Sequence, residues 1–267
     1  MISDEKLQAK VGDLLGTLYK KRFAALDGLK LKMLLQKNPY LYRALGATRA
    51  QDFIEQLLVA RVSSSDETIF GNDFFEPLAL FAAEQAQIGK SNPAKVQVGS
   101  GAGQDITVET DDEFWAISVK SGTNIFNSQS EKGQSTEFSQ TQARLKKVKK
   151  LFRPIVGYGY GRKAVPKKPS PVERLAGQRF WHLLTGEQDF YLRIARAMEP
   201  FATEHAAEFQ RALSTKQTAL LREFMIDFVE VNGHVRWDAV VAFNSSEVPP
   251  RRTSVKSPSK KTGASTK

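Results

Sequence analysis

Between Asp105 and Lys120 the chain reads DITVETDDEFWAISVK, and three of its side chains could act together: the Asp105 carboxylate, the Ser118 hydroxyl and the Lys120 ammonium. Aspartate is a hard oxygen ligand suited to Mg2+, which takes one or two carboxylates and completes its shell with water and substrate phosphate oxygens. Lysine supplies a point charge that stabilises charge developing on a phosphate or orients an attacking water. Together they make a minimal site for phosphodiester hydrolysis. An isolated D…SxK is more often the cross-strand ion pair of an ordinary surface hairpin, so the spacing alone does not decide.

What brings the three together is alternation. Ile106 and Val108 fall on one face of a strand, with Asp105, Thr107 and Glu109 on the other. After Asp111-Asp112, Trp115, Ile117 and Val119 continue the apolar face, and Phe114, Ala116, Ser118 and Lys120 the second. A two-residue loop at Asp111-Asp112 sets Thr110 against Glu113 and Asp105 against Ser118. Opposed residues share a face with Cβ atoms about 5 Å apart, and a diagonal neighbour such as Lys120 lies at roughly 7–8 Å. A four-residue loop keeps that parity, whereas a three-residue loop turns Asp105 away from both partners.

Six segments, in order, extend the pattern: NPYLYRA (38–44), SSSDETIFGNDFFEPLA (63–79), GQDITVE (103–109), ISVKSG (117–122), VGYGYGR (156–162) and AGQRFWHLLTG (176–186). With them the chain resembles the PmeII-type family of type II restriction endonucleases, in the PD-(D/E)xK nuclease superfamily. The resemblance implies an α/β core, a mixed sheet flanked by helices, with Asp105 as the first acid and Lys120 as the lysine of the catalytic pattern. Ser118 stands where many superfamily members carry Glu, which leaves metal number and geometry open. The superfamily also places a helix-borne acid beside its hairpin, and Glu67 and Glu76 compete for that role. Nine residues of helix separate them, about 900° of rotation, so only one can face the site. Glu67 is spaced from Ser64 as in a capping box, which gives it a structural job. Glu76 sits among Phe74, Phe75 and Leu78, immediately before Pro77, a costly place for a charge without a purpose, and is the preferred acid, as metal ligand or as an orienter of metal-bound water.

Composition narrows the class. The 267 residues carry a formal charge of +10 and no cysteine, which excludes disulfides and thiolate metal sites. His182, His205 and His234 lack ligand spacing. No apolar run reaches the roughly 20 residues of a membrane helix, and MISDEKLQAK is no signal peptide, so a soluble, intracellular protein is expected. Residues 63–120 hold 3 basic and 10 acidic side chains, residues 121–180 hold 13 and 3. An acidic block bearing a metal site beside a basic block suits a nuclease, although solvated surface charge gives the same count.

The remaining chain reads as scaffold. One helix is expected over 5–37, ended by Asn38-Pro39, a second over 48–62, and a third starting at Ser63-Ser64-Ser65 and carrying Glu76. Gly99, Gly101 and Gly103 precede a strand, not a helix, and read as a flexible approach to the site. The polar stretch after Lys120 offers Ser121, Thr123, Asn124, Asn127, Ser128 and Gln129 as DNA contacts, against the plain alternative of a surface loop. A basic helix is expected over 139–152, with Lys146, Lys147 and Lys150 available to the DNA backbone, then a strand over 153–160 and a basic loop over 161–171. Helices follow, including a long amphipathic one over 203–231, and residues 247–267 have no core formers.

The expected organisation is an N-terminal helical region (1–62), a nuclease core (63–182), a C-terminal helical region (183–246) and a disordered basic tail (247–267). The expected function is Mg2+-dependent cleavage of double-stranded DNA at a short specific sequence. Asp105, Glu76 and the Val119 carbonyl would hold the metal, Lys120 would position water, and Ser118 would make a secondary contact. A homodimer, a cognate DNA methyltransferase and a prokaryotic cytoplasm complete the expectation. The alternatives are a repair or mobile-element nuclease on the same core, or a non-catalytic DNA-binding module.

Overall fold

The alternation that starts at Ile106 forms the antiparallel pair at the heart of a five-stranded sheet. In the computed structural model, which describes residues 1–99, 101, 103–122, 128–145, 149–164, 170–201, 203 and 205–247, β1 spans Lys95–Val98, β2 Ile106–Glu109 and β3 Glu113–Lys120. β2 and β3 pair with Ile106 opposite Ile117 and Glu109 opposite Phe114. Asp111-Asp112 is the two-residue loop: the Thr110 N–H donates to the Glu113 carbonyl at 2.9 Å, and the Glu113 N–H donates to Thr110 Oγ1 at 2.9 Å. The same register runs outward to Asp105, whose N–H donates to the Ile117 carbonyl at 2.9 Å. β1 adds antiparallel to β2, while β4 (Leu151–Tyr158) and β5 (Glu173–Ala176) add parallel beyond β3, in the order β1-β2-β3-β4-β5.

Two unlike faces hold that register. Ile106, Val108, Ile117, Val119, Ile155 and Leu175 form one face, buried with helical residues that include Leu7, Val11, Leu78, Phe180 and Trp181. The other is smaller: Ala116, Val156, Tyr158 and Ala176 close over Phe138. A fully buried Leu, Ile or Phe contributes about 1.5–3 kcal/mol, so a one-residue slip that exposed the first face would cost more than any polar contact could return.

The helices depart from the sequence expectation in instructive ways. α1 (Asp4–Asp27) stops at Gly28 and is followed by the short α2 (Leu31–Leu34). Asn38-Pro39 starts a helix instead of ending one: Asn38 Oδ1 accepts from the Tyr40 and Leu41 N–H groups at 3.0 and 3.2 Å, and Pro39 opens α3 (Pro39–Ala44). Asn at the N-cap with Pro at the next position is a start signal on the same residues that read as a stop. α4 (Ala50–Phe70) runs through Ser63-Ser64-Ser65 without a break and continues by a π turn (Gly71–Phe75) into α5 (Glu76–Gln85), so Ser64 and Glu67 cap nothing. α6 spans Ser128–Arg144, not 139–152, and Leu151 and Phe152 belong to β4. Its sequence is mostly Ser, Gln, Thr and Glu and carries little apolar periodicity, which is why it reads as loop. α7 (Gln178–Thr185), α8 (Phe190–Met198), α9 (Ala206–Phe228) and α10 (Trp237–Ser245) follow. Among the described residues no helix is long and apolar enough to cross a membrane.

Two compact units result. Residues 1–23 with 65–207 form the first, which holds the whole sheet; residues 24–64 with the described residues from 208 onward form the second. The chain passes from the first unit to the second within α1 and returns within α4. In the second unit Phe53 packs against Phe224 and Trp237, at 5.6 and 5.1 Å between ring centres. The basic tail lies outside the described residues.

The glycine-rich link between β1 and β2 is tied down. The Gly99 N–H donates to the Asp105 carbonyl at 3.0 Å, and Gln134 Nε2 of α6 donates to the Gly103 carbonyl at 2.8 Å. Gly103 has φ +67°, and a Cβ there would run into the Glu137 carboxylate and sit 2.7 Å from Gln134 Nε2. The expected flexible approach is therefore a clamp. Gly103→Ala should destabilise the protein by about 1–3 kcal/mol, read as a lower urea midpoint at unchanged m-value. An unmoved midpoint would contradict the clamp.

Candidate functional site

Asp105, Ser118 and Lys120 meet at the open end of the hairpin, on one side of the sheet. Asp105 Oδ2 accepts from the Val119 N–H at 2.6 Å and from Ser118 Oγ at 3.4 Å, and Lys120 Nζ lies 3.9 Å from the same oxygen. Ser118 is fully buried, while Asp105 and Lys120 each keep about a quarter of their side-chain surface in solvent, 22% and 27%. The site is thus walled by the sheet and open to a ligand. The Val119 N–H points toward Asp105, past the end of β2, and in a strand the carbonyl of a residue points to the same side as its N–H. Val119 can therefore offer a backbone oxygen beside the Asp105 carboxylate.

Glu76 arrives from the other side of the core, and the π turn places it. The Glu76 N–H donates to the carbonyl of Gly71, five residues back, and the next residue, Pro77, has no N–H to give. A proline inside an α-helix collides with the carbonyl four residues earlier, and a widened turn is one way to relieve that. Phe74, Phe75 and Leu78 are buried around this turn, so Glu76 cannot swing away without exposing them. Its carboxyl is pushed up to about 7, first by burial, then by the negative charge of Asp105, against a lowering by Lys120 and a further raising by Asp73. Asp73, one turn earlier, is held by Lys21 Nζ at 2.5 Å. Of the two competing glutamates, Glu76 is the one whose charge acts on Asp105 and Lys120; Glu67 lies within α4. Asp73 is a contributor that sequence reasoning missed, since its position depends on a π turn that no periodicity announces.

Whether these residues suit a divalent cation follows from their chemistry. No group of three His, Cys, Asp or Glu side chains is placed to hold a metal among the described residues. Two carboxylates are nonetheless what Mg2+ commonly takes from a protein. Asp105 and Glu76 present oxygen donors, and the repulsion that adds to burial in raising the Glu76 carboxyl is the kind that a cation between them relieves. The donor set fits Mg2+.

The expected DNA contacts fare differently. Ser121 is buried against Gly71 of the π turn, so its hydroxyl is not presented to a ligand. Lys150 donates to Glu109 Oε1 at 2.8 Å and to the Thr110 carbonyl at 2.6 Å, which ties it to the hairpin turn. Leu151 pairs with Glu113 at the start of β3, so Lys150 lies a strand length from Lys120, roughly 26 Å at 3.3 Å per residue. Thr123, Asn124, Asn127, Lys146 and Lys147 lie outside the described residues. Ser128 and Gln129 fall in the first turn of α6, with side chains likewise outside what is described.

A family model described as type II restriction endonuclease EcoO109I matches residues 5–206, a span that contains all five strands, Glu76, Asp105 and Lys120. That match gives the restriction class, not the PmeII-type division of it. No curated protein matches the chain.

The raised Glu76 pKa has a consequence for stability. Between its ordinary 4.5 and about 7 the folded state keeps a proton that the unfolded chain has released, so ionising Glu76 opposes folding. That cost is absent below pH 4.5 and complete above pH 7. Without divalent ions, Glu76→Gln should raise the thermal midpoint at pH 8 and leave it unchanged near pH 4.5. A lower midpoint at pH 8 would contradict the assignment.

Proposed function

Because the chain belongs to the type II restriction endonuclease EcoO109I family, and so is a site-specific deoxyribonuclease acting on double-stranded DNA, we propose that it cuts by Mg2+-dependent hydrolysis at the site formed by Glu76, Asp105 and Lys120. What supports this reading is the convergence of two carboxylates and one ammonium, with Lys120 Nζ 3.9 Å from Asp105 Oδ2 and Glu76 pushed up to about 7. Asp105, Glu76 and the Val119 carbonyl would hold the ion. When bound, Mg2+ neutralises charge on the scissile phosphate and makes a coordinated water more acidic.

The protein groups do the rest. Lys120 Nζ orients the attacking water and stabilises negative charge that grows on a phosphate oxygen. Asp105 is fixed by the Val119 N–H and steadied by the Ser118 hydroxyl, so its second oxygen is free to turn outward. Ser118, which replaces the superfamily's second acid, supports Asp105 in place of ligating directly, and Glu76 supplies the missing carboxylate. Cutting both strands of a short symmetric sequence asks for a two-fold dimer. A cognate DNA methyltransferase in a prokaryotic cytoplasm would protect the host copy of that sequence. The six PmeII-like segments favour a place near that group within the restriction class.

Incubating the protein with a plasmid of known sequence and Mg2+, then sequencing the ends, tests the reading. Wild type should give a defined set of fragments. Lys120→Ala should lose at least about 10³-fold in cutting rate while keeping its affinity for DNA in Ca2+. Ends scattered over the plasmid, or cutting that survives Lys120→Ala, would sink it.

A further inference from the structure

Beyond the carboxyl ends of β4 and β5 lies a cleft of about 730 Å³ whose lining, among the described residues, includes no Asp or Glu. Arg162, Lys163 and Arg179 sit on it with exposed side chains, and Trp181 and Phe75 form its apolar floor. Lys163 Nζ lies 5.5 Å from the centre of the Tyr158 ring. No hydrogen bond or ion pair to a described residue occupies Arg162 or Arg179. Acidic side chains engage other arginines of this unit, such as Arg22 by Asp66 and Arg193 by Asp4, so the two free guanidiniums on one cleft stand apart.

The cleft is continuous with the catalytic strand. The Gly159 N–H donates to the Lys120 carbonyl at 2.8 Å and the Tyr160 N–H to the Ser121 carbonyl at 3.1 Å, while Trp181 Nε1 donates to the Gly159 carbonyl at 2.8 Å. The Tyr160 ring, 51% exposed, lies over Gly122, where a Cβ would sit 2.6 Å from its hydroxyl oxygen. Gly161 and Gly177 bring two loops into contact at the rim: a Cβ on Gly177, which has φ +52°, would be 2.9 Å from the Gly161 carbonyl oxygen. α7 begins immediately after Gly177 with no side-chain cap, so its first N–H groups add partial positive charge at the cleft. Cations, an aromatic face and a backbone shared with Lys120 suit a polyanion that carries rings.

We propose that this cleft seats the DNA strand next to the scissile phosphate, with Arg162 and Arg179 on its phosphates and Tyr160 against a sugar or base. The proposal rests on the nuclease reading above and adds to it the path by which the strand leaves the site.

The test is the salt dependence of binding, followed by fluorescence anisotropy in Ca2+ with a labelled duplex of about 30 base pairs; each phosphate contact adds about 0.9 to the slope of log affinity against log salt. The double variant Arg162→Ala/Arg179→Ala should reduce that slope by about 2 and weaken binding at least tenfold. Arg162→Lys/Arg179→Lys should keep the slope, and Lys6→Ala/Lys20→Ala, an equal charge loss on exposed positions of α1, should leave it unmoved. A slope unchanged in the Arg-to-Ala pair, or lowered as much by the Lys pair on α1, overturns the proposal. Plasmid cutting by wild type separates the two readings: cutting with an unmoved slope defeats the cleft alone, and a lowered slope without cutting defeats the nuclease reading and with it the place beside a scissile phosphate, leaving only DNA binding by the cleft.

Discussion

The arrangement depends on the parity of one hairpin. Asp105 and Lys120 lie on opposite flanks of the Asp111-Asp112 loop, and a carboxylate and an ammonium share a side of the sheet only when that loop has an even number of residues. Neither charge sets the register. Ile106, Val108, Ile117 and Val119 do, because they are buried on the opposite face and a slip would bring them into water. Polar function is thus positioned by apolar packing one or three residues away, and the chemistry inherits its precision from a core that takes no part in it.

Glu76 is the complementary case, a group placed against its own preference. A half-buried carboxyl near Asp105 and Asp73 holds a proton near neutrality, and only Lys120 favours its charged form. The protein tolerates this because the buried phenylalanines of the π turn and the proline that follows leave Glu76 no other direction. A cation placed between two such acids reverses the electrostatics: repulsion becomes coordination. On the proposed reading, the same residues that make the ligand-free site uncomfortable are the ones that would hold a hard divalent ion.

Much of this was legible in the sequence, and the parts that were not have physical reasons. The hairpin, its register and the meeting of Asp105, Ser118 and Lys120 follow from alternation and a polar turn, both local. Glu76 was separable from Glu67 because a charge between apolar residues and before proline demands an explanation. The continuity of α4 through the serines was not readable, since Ser64 and Glu67 carry the spacing of a cap that the structure does not use. α6 was hidden because, among its described side chains, only Phe138 is a large apolar group buried in the core. β1 and β5, four residues each, show no period by themselves; β2 is as short and was legible because a polar turn joins it to the eight-residue β3. The basic residues misled most: charge runs mark where cations are, not what they touch, and Lys150 proved to be held by Glu109 while Arg162 and Arg179 were left open.

The central claim, that Asp105 and Glu76 jointly hold one divalent ion, is tested most directly by calorimetric titration of the protein with Mn2+ at pH 7 in two buffers of different ionisation enthalpy. A carboxyl with a pKa of about 7 is half protonated there, so coordination should release about half a proton per ion, and Asp105→Asn should abolish binding. Binding that releases no proton and survives Asp105→Asn would contradict the account.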